Sequence, residues 1–431
     1  MANGLKKVRT IDEFPNVIDI DSVCYAQLDE IVGYFRRECL LLTYRNGEKT
    51  KLFGVSGITS DMIANPTEVV SVIMPDSVVT LGSSVFSDCH NLTHIEMSPN
   101  ITNISTYAFY NCSSLTSLTI PDSVQSYESN SFNGCSGITE LYIGSGITYD
   151  NGIFYSITNI EKLTCKADIT LGSGGASLAQ TKSTLKSVTV GGNTELGNSA
   201  FEGCSGLTEL NLLEGISSIG YACFGGCSGL TSLELPNGLT EIEEVAFSSC
   251  KNLTYIDLNQ VQYIDRYAFQ NCSSLTEIIV PSTLTDAHIY SFANCSSLTN
   301  VFYNGQRLRP NMVMWIGANG IKLVIGENVS NFNGSNFRSA GYLSEVDYRS
   351  NFMPTYMFSG CMNLEKVTFG GETRYISQCA FENCVSLSSI TIPSTITDIG
   401  ANAFSGCTNL TVINYNGPAT GYPWGAPLLT E

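Results

Sequence analysis

Apolar positions along most of this chain fall into one phrase that returns about every 23 residues. Its most regular part is Phe-x-x-Cys-x-x-(Leu/Ile), found first at Phe86/Cys89/Leu92, Phe109/Cys112/Leu115 and Phe132/Cys135/Ile138. It returns at Phe201/Cys204/Leu207, Phe224/Cys227/Leu230, Phe247/Cys250/Leu253, Phe269/Cys272/Leu275 and Phe292/Cys295/Leu298. Three last copies stand at Phe358/Cys361/Leu364, Phe381/Cys384/Leu387 and Phe404/Cys407/Leu410. Successive cysteines are separated by 23, 23, 69, 23, 23, 22, 23, 66, 23 and 23 residues. The two long gaps are each close to three periods, so each conceals about two degenerate copies, and the array comes to about 15 turns.

One complete unit shows which elements the phrase predicts. In Leu387-x-x-Ile390-x-Ile392 the apolar residues end in a period of two, which suits a short strand with one buried face. Pro393 follows and stops the ladder, because it has no N–H to donate. In Ile399-Gly400-x-x-Ala403-Phe404-x-x-Cys407 the spacing changes to three or four, which predicts a single helical or 3₁₀ turn. A unit of this size cannot bury its own apolar stripe. Stacked units share one continuous core, so the expected fold is a solenoid.

The complete phrase, Leu-x-x-Ile-x-Ile-Pro-x-x-Ile-x-x-Ile-Gly-x-x-Ala-Phe-x-x-Cys from Leu387 to Cys407, resembles the leucine-rich repeat family and specifically its BspA-like class. The resemblance covers roughly residues 65–417. It implies an α/β solenoid dominated by strands, a parallel-β array whose short strands line a concave face.

Sixteen cysteines first suggest disulfides or a metal. The spacing argues against both. There is no Cys-x-x-Cys, and the chain has three His (His90, His94, His288), so zinc-ligand spacing is missing and no metal is expected. Eleven of the cysteines hold one position per turn, facing inward. On neighbouring turns their Cβ atoms would lie about 4.8 Å apart, beyond the roughly 3.5–4.5 Å of a disulfide. They read as a ladder of small buried hydrophobes.

Charge narrows the choice of partner. The chain has 431 residues with 39 acids against 21 bases, for a net charge of −18. Residues 1–60 carry eight bases and eight acids, so the whole excess lies in the body. Such a body repels phosphate backbones, and nucleic acid is not an expected partner. No run of 18 apolar residues occurs, so no membrane insertion is expected, and the N-terminus lacks the apolar core of a signal peptide.

Catalysis needs acids, bases or nucleophiles that break the scaffold's pattern. The chain has no Gly-x-Ser-x-Gly elbow, no phosphate loop with Gly-Lys-Ser/Thr and no His-Glu-x-x-His. The Gly174-Gly175 and Gly191-Gly192 pairs lack the strand–helix setting of a nucleotide site. No enzyme activity and no cofactor are expected.

Binding suits the architecture better. Strand positions between the inward Leu/Ile residues point to the face that the resemblance makes concave. From Glu209, through Asn211, Ser232, Glu234, Tyr255 and Asp257, to Glu277, they hold a column of acids around one tyrosine with no base. Such a column suits a polar or cationic ligand, or a carbohydrate stacking on Tyr255; a merely solvated face is the alternative. Arg307, Arg309 and Trp315 form a second candidate group, a basic and aromatic cluster in an otherwise acidic body, with core filling as its alternative for Trp315.

The expected organisation is an N-terminal cap or docking module over residues 1–60, a solenoid over 61–417 with irregular repeats near 136–203 and 303–356, and a C-terminal cap over 418–431. The expected function is non-enzymatic binding or adhesion to a protein or carbohydrate on a cell surface. Surface proteins of the BspA-like class are expected to carry an export signal and an anchor, and neither is legible here. That favours a bacteriophage fibre or decoration component joined to a larger assembly through residues 1–60, placed in the virion or the cytoplasm. The alternative is an intracellular or secreted scaffold or inhibitor that holds one protein in its concave face.

Overall fold

The computed structural model describes residues 39–417 apart from 129, 151, 173–177, 179–180, 289, 306, 309–318, 328, 330 and 333–336. Within them the fold is strand-dominated, with a single α-helical turn at Ile153–Ser156. Each repeat opens with a strand whose side chains alternate between the core and the exterior. In Ser389–Ile392, Ile390 and Ile392 are buried while Ser389 and Thr391 are exposed, and Ser117–Ile120 alternates in the same way. A second, two-residue strand follows in most turns, such as Glu241–Ile242, with its apolar residue inward.

The chain divides into two compact units, Met1–Thr158 and Asn159–Glu431. In the first, the long strands Val69–Ile73 and His94–Glu96 pair in parallel, as do Ser117–Ile120 and Glu140–Ile143. The edge before Val69 is covered by an antiparallel hairpin, Cys39–Tyr44 with Lys49–Phe53, whose first strand pairs with Val69–Ile73. Leu40 and Leu42 of the hairpin are fully buried. Lys49 and Lys51 lie on its outer strand, the kind of residue that discourages further pairing at an edge.

The second unit carries the longer array. Lys162–Cys165, Ser187–Val190 and Glu209–Leu212 pair in parallel. The parallel series from Ser232–Glu234 runs through Tyr255–Asp257, Glu277–Val280, Asn300–Tyr303, Ile321–Ile325 and Leu343–Tyr348 to Lys366–Phe369. Ser389–Ile392 then pairs with Val412–Tyr415.

Both long gaps in the phrase hold the concealed turns. Around 136–203 the phenylalanine position is filled by buried Phe154 and Leu178, and the cysteine position by buried Ile157 and Thr181. Around 303–356, Phe337, Ala340 and Leu343 keep the spacing and are buried, with strands at Ile321–Ile325 and Leu343–Tyr348 on either side.

The Ala-Phe-x-x-Cys stretch differs from the expected helical turn. It closes as successive β-turns, with Ser405 N–H donating to the Asn402 carbonyl (3.1 Å) and Cys407 N–H to that of Phe404 (3.2 Å). Asn402 and Gly406 flank Phe404 at φ 57° and 75°, in the left-handed region, so a right-handed helix cannot propagate through either. The same pair of positions is left-handed in turn after turn, as at Tyr107 and Asn111 or Val245 and Ser249.

Phenylalanines one repeat apart stack in the core. In the second unit the rings of Phe201, Phe224, Phe247, Phe269 and Phe292 lie 5.2, 5.2, 5.3 and 5.0 Å from one to the next. All fifteen cysteines among the described residues are buried. They are more than small hydrophobes. Nine ladder thiols each donate to the carbonyl of the phenylalanine one turn back, as Cys250 does to Phe224 (3.3 Å) and Cys407 to Phe381 (3.0 Å).

Candidate binding surface

Period-two alternation fixes what the long strands present outward in the second unit. Register pairs Ser232 with Tyr255 and Glu234 with Asp257, then Tyr255 with Glu277 and Asp257 with Ile279. Glu209 and Asn211 stand on the preceding turn, where Ser187 and Thr189 are their partners. All seven strand-face candidates therefore point away from the core. Glu209, Asn211, Ser232, Glu234 and Asp257 are exposed, Tyr255 is 38% exposed and Glu277 is half-buried.

The electrostatics of this face are one-sided. From Ser187 to Phe302 the outward strand positions hold no Lys, Arg or His. Among the described residues, none of Glu209, Glu234, Asp257 and Glu277 takes part in an ion pair. Asp257 accepts the Asn259 backbone N–H (2.9 Å), which fixes its carboxylate beside the tyrosine. Partial desolvation pushes the Tyr255 phenol above its ordinary value, and the charges of Asp257, Glu277 and Glu234 push it further the same way. The ring is thus a neutral aromatic surface among carboxylates.

The face continues beyond the expected residues. Asn300 pairs with Lys322, Lys322 with Glu345, and Glu345 with Lys366. Here acids and bases are matched on the protein itself: Lys366 and Glu345 are 3.5 Å apart, and Arg349 and Asp347 are 2.7 Å apart. Ile279 and Phe302, neighbours in register and both half-buried, form an apolar step between the acidic and the mixed parts. The Phe337-x-x-Ala340-x-x-Leu343 spacing is the sequence signal that could have extended the column through this segment.

The second candidate group is not brought into this face by any described contact. Arg307 lies in the short strand Arg307–Leu308, paired with Asn331–Phe332, and Arg309 and Trp315 lie outside the described residues. Among the described residues no group of three or more His, Cys, Asp or Glu is placed to hold a metal ion, and no helix is long and apolar enough to cross a membrane.

The repeat that builds this face is matched along most of the chain. Residues 57–174, 183–309 and 330–421 match the BspA type leucine rich repeat region, in six copies. The chain belongs to the BspA-type leucine-rich repeat family. Among solved structures, it is similar to a leucine-rich repeat protein from Bacteroides ovatus, at 24% identity over 88% of each chain with a TM-score of 0.36. It is similar to a leucine rich cell surface protein from Faecalibacterium prausnitzii, at 21% identity over 88% of this chain and 93% of that one, TM-score 0.28. An internalin from Listeria monocytogenes is 14% identical over 92% of this chain and 91% of its own, TM-score 0.33. Among curated proteins none matches. In this BspA-type chain, then, the repeat's apolar positions go into the core, and the positions free to vary outward are those of the strand face.

Proposed function

We propose that the chain is a non-enzymatic binding protein of the adhesion kind, and that the outward strand face around Tyr255 is its recognition surface. One observation carries this reading: an exposed aromatic ring held in register among Glu234, Asp257 and Glu277, with Glu209 on the turn before, and none of these four carboxylates has an ion-pair partner among the described residues. Side chains that serve the solenoid are inward and buried, so this column is dispensable for the fold and available for a partner.

A screen of the immobilised chain against purified cell-surface proteins and glycans tests it. Binders are expected to lose most of their signal when Tyr255→Ala and Asp257→Ala are combined. A set of binders indifferent to both substitutions would remove the reading.

The finer reading adds a place for the protein: a bacteriophage fibre or decoration component, docked through residues 1–60. Its alternative is an intracellular or secreted scaffold or inhibitor that grips one protein. The hairpin from Cys39 to Phe53 already serves as cover for the first repeat's edge, so the docking role falls to residues 1–38. Removing residues 1–38 while keeping the hairpin is expected to abolish assembly if the docking reading holds. Unchanged mass in solution would leave the scaffold reading.

A further inference from the structure

The inference drawn here rests on the reading that the strand face around Tyr255 is the recognition surface, and it names what that surface takes. Three features of the face bear on its occupant. The first is the contrast along the outward strand face. Acids at Glu345 and Asp347 have their own bases at 3.5 and 2.7 Å, whereas Glu209, Glu234, Asp257 and Glu277 have none among the described residues. A partner that brings positive charge gains attraction on one stretch and finds the other already neutralised.

The second is extent. The four carboxylates stand on the strands Glu209–Leu212, Ser232–Glu234, Tyr255–Asp257 and Glu277–Val280. At about 4.8 Å from strand to strand they are spread over roughly 14 Å. A single ammonium group covers a fraction of that. An extended polypeptide crossing the strands brings a same-facing side chain about every 6.7 Å, and so about three over the same length.

The third is the surface beside the charges. The exposed Tyr255 ring lies between Ser232 and Glu277 in register, and Ile279 with Phe302 makes an apolar step one strand further on. A guanidinium or ammonium over the ring gains a cation–π contact in addition to the carboxylates. A neutral sugar stacks on Tyr255 but leaves all four carboxylates without a counter-charge.

We propose that this face takes an extended segment of a partner protein carrying alternate Arg or Lys side chains, laid across the strands with one cation over Tyr255 and an apolar residue on the Ile279–Phe302 step. Electrostatic matching of this kind sets the rate and register of association and weakens with salt.

A fluorescent peptide of the sequence Thr-Arg-Thr-Arg-Thr-Arg-Thr-Leu-Thr, titrated with the full chain at low and physiological salt, tests the proposal. Wild-type chain is expected to bind it, more weakly as salt rises. The variant combining E209Q, E234Q, D257N and E277Q is expected to lose at least about tenfold in affinity, and Y255A severalfold. A control combining E202Q, E241Q, E372Q and D398N removes the same charge from exposed positions off this face and is expected to stay within about twofold.

Equal losses in the face and control variants would mean attraction to the overall charge and would overturn the proposal. Absence of wild-type binding at low salt would overturn it too. A glycan or protein whose binding falls with Y255A but survives the four amide substitutions would overturn the basic-segment inference and leave the face as the recognition surface. Binders insensitive to both would overturn the face itself.

Discussion

Cysteine at its repeat position is chosen over other small residues for a donor as well as a size. In each of nine turns the thiol reaches the phenylalanine carbonyl of the turn before, and in eight of them that carbonyl also accepts the backbone N–H of its own turn's cysteine, as Phe86 does from Cys89 (3.3 Å) and Cys112 (3.2 Å); at Phe337 the second donor is the N–H of Ala340. Alanine fills the slot without a donor at Ala340, so Cys250→Ala is expected to fold and to cost about 1–2 kcal/mol, measured by urea unfolding. The left-handed position two residues before each phenylalanine offers an opposite test. Val245 holds φ 53° with a β-branched side chain, whereas Asn130 and Asn402 hold 60° and 57° with a residue that tolerates it. Val245→Asn is expected to raise stability by about 0.5–1 kcal/mol and Asn402→Val to lower it by about 1 kcal/mol. Opposite signs in the two melting temperatures are the readout.

At the scale of the element, each turn is held by its neighbours. Phe247 stacks between Phe224 and Phe269 and is fully buried, so Phe247→Ala opens a hole between two ring contacts and is expected to cost about 3–5 kcal/mol. The thiols add a pH dependence. Burial raises Cys89, Cys250, Cys295 and Cys361 to about 12 from 9.0. Below pH 9 both folded and unfolded chains keep these protons and the stability is complete. Between 9 and 12 the unfolded chain ionises while the folded one does not, so each thiol withdraws about 1.4 kcal/mol per pH unit. The urea midpoint is expected to fall steadily from pH 9 to pH 11; a flat profile would contradict the buried ladder.

Strands were legible in the sequence because Ile390 and Ile392 alternate in one way only, and the concealed turns were legible because the gaps of 69 and 66 residues are each close to three periods, although the residues that fill them, such as Phe337, Ala340 and Leu343, went unmarked. The turn was misread as helical because a spacing of three or four is shared by helices and by chains of β-turns. What separates them is the sign of φ at Asn402 and Gly406, and that is carried by residue chemistry, since an Asn or Gly at such a position is permissive without being diagnostic.

At the scale of the molecule, period and charge together carried most of the reading. An outward column can be copied from the phrase once one strand's register is known, which is why the residues from Glu209 to Glu277 were found from sequence. Lys322 and Glu345 escaped because the phrase that would have placed them lacks its cysteine, whereas Lys366 follows the intact copy Phe358/Cys361/Leu364 and lay beyond the stretch taken as the column. Ion pairing between turns was not legible: whether Glu345 has a base beside it depends on Lys366, a full turn further along the chain. The measurement that tests the central claim most directly is chemical footprinting of the chain alone and with a bound partner, using carboxylate labelling and tyrosine iodination read by mass spectrometry. Glu209, Glu234, Asp257, Glu277 and Tyr255 are expected to lose reactivity together on binding while Glu202 and Asp398 keep theirs. Protection confined to residues off the strand face, with Tyr255 as reactive as in the free chain, would contradict it.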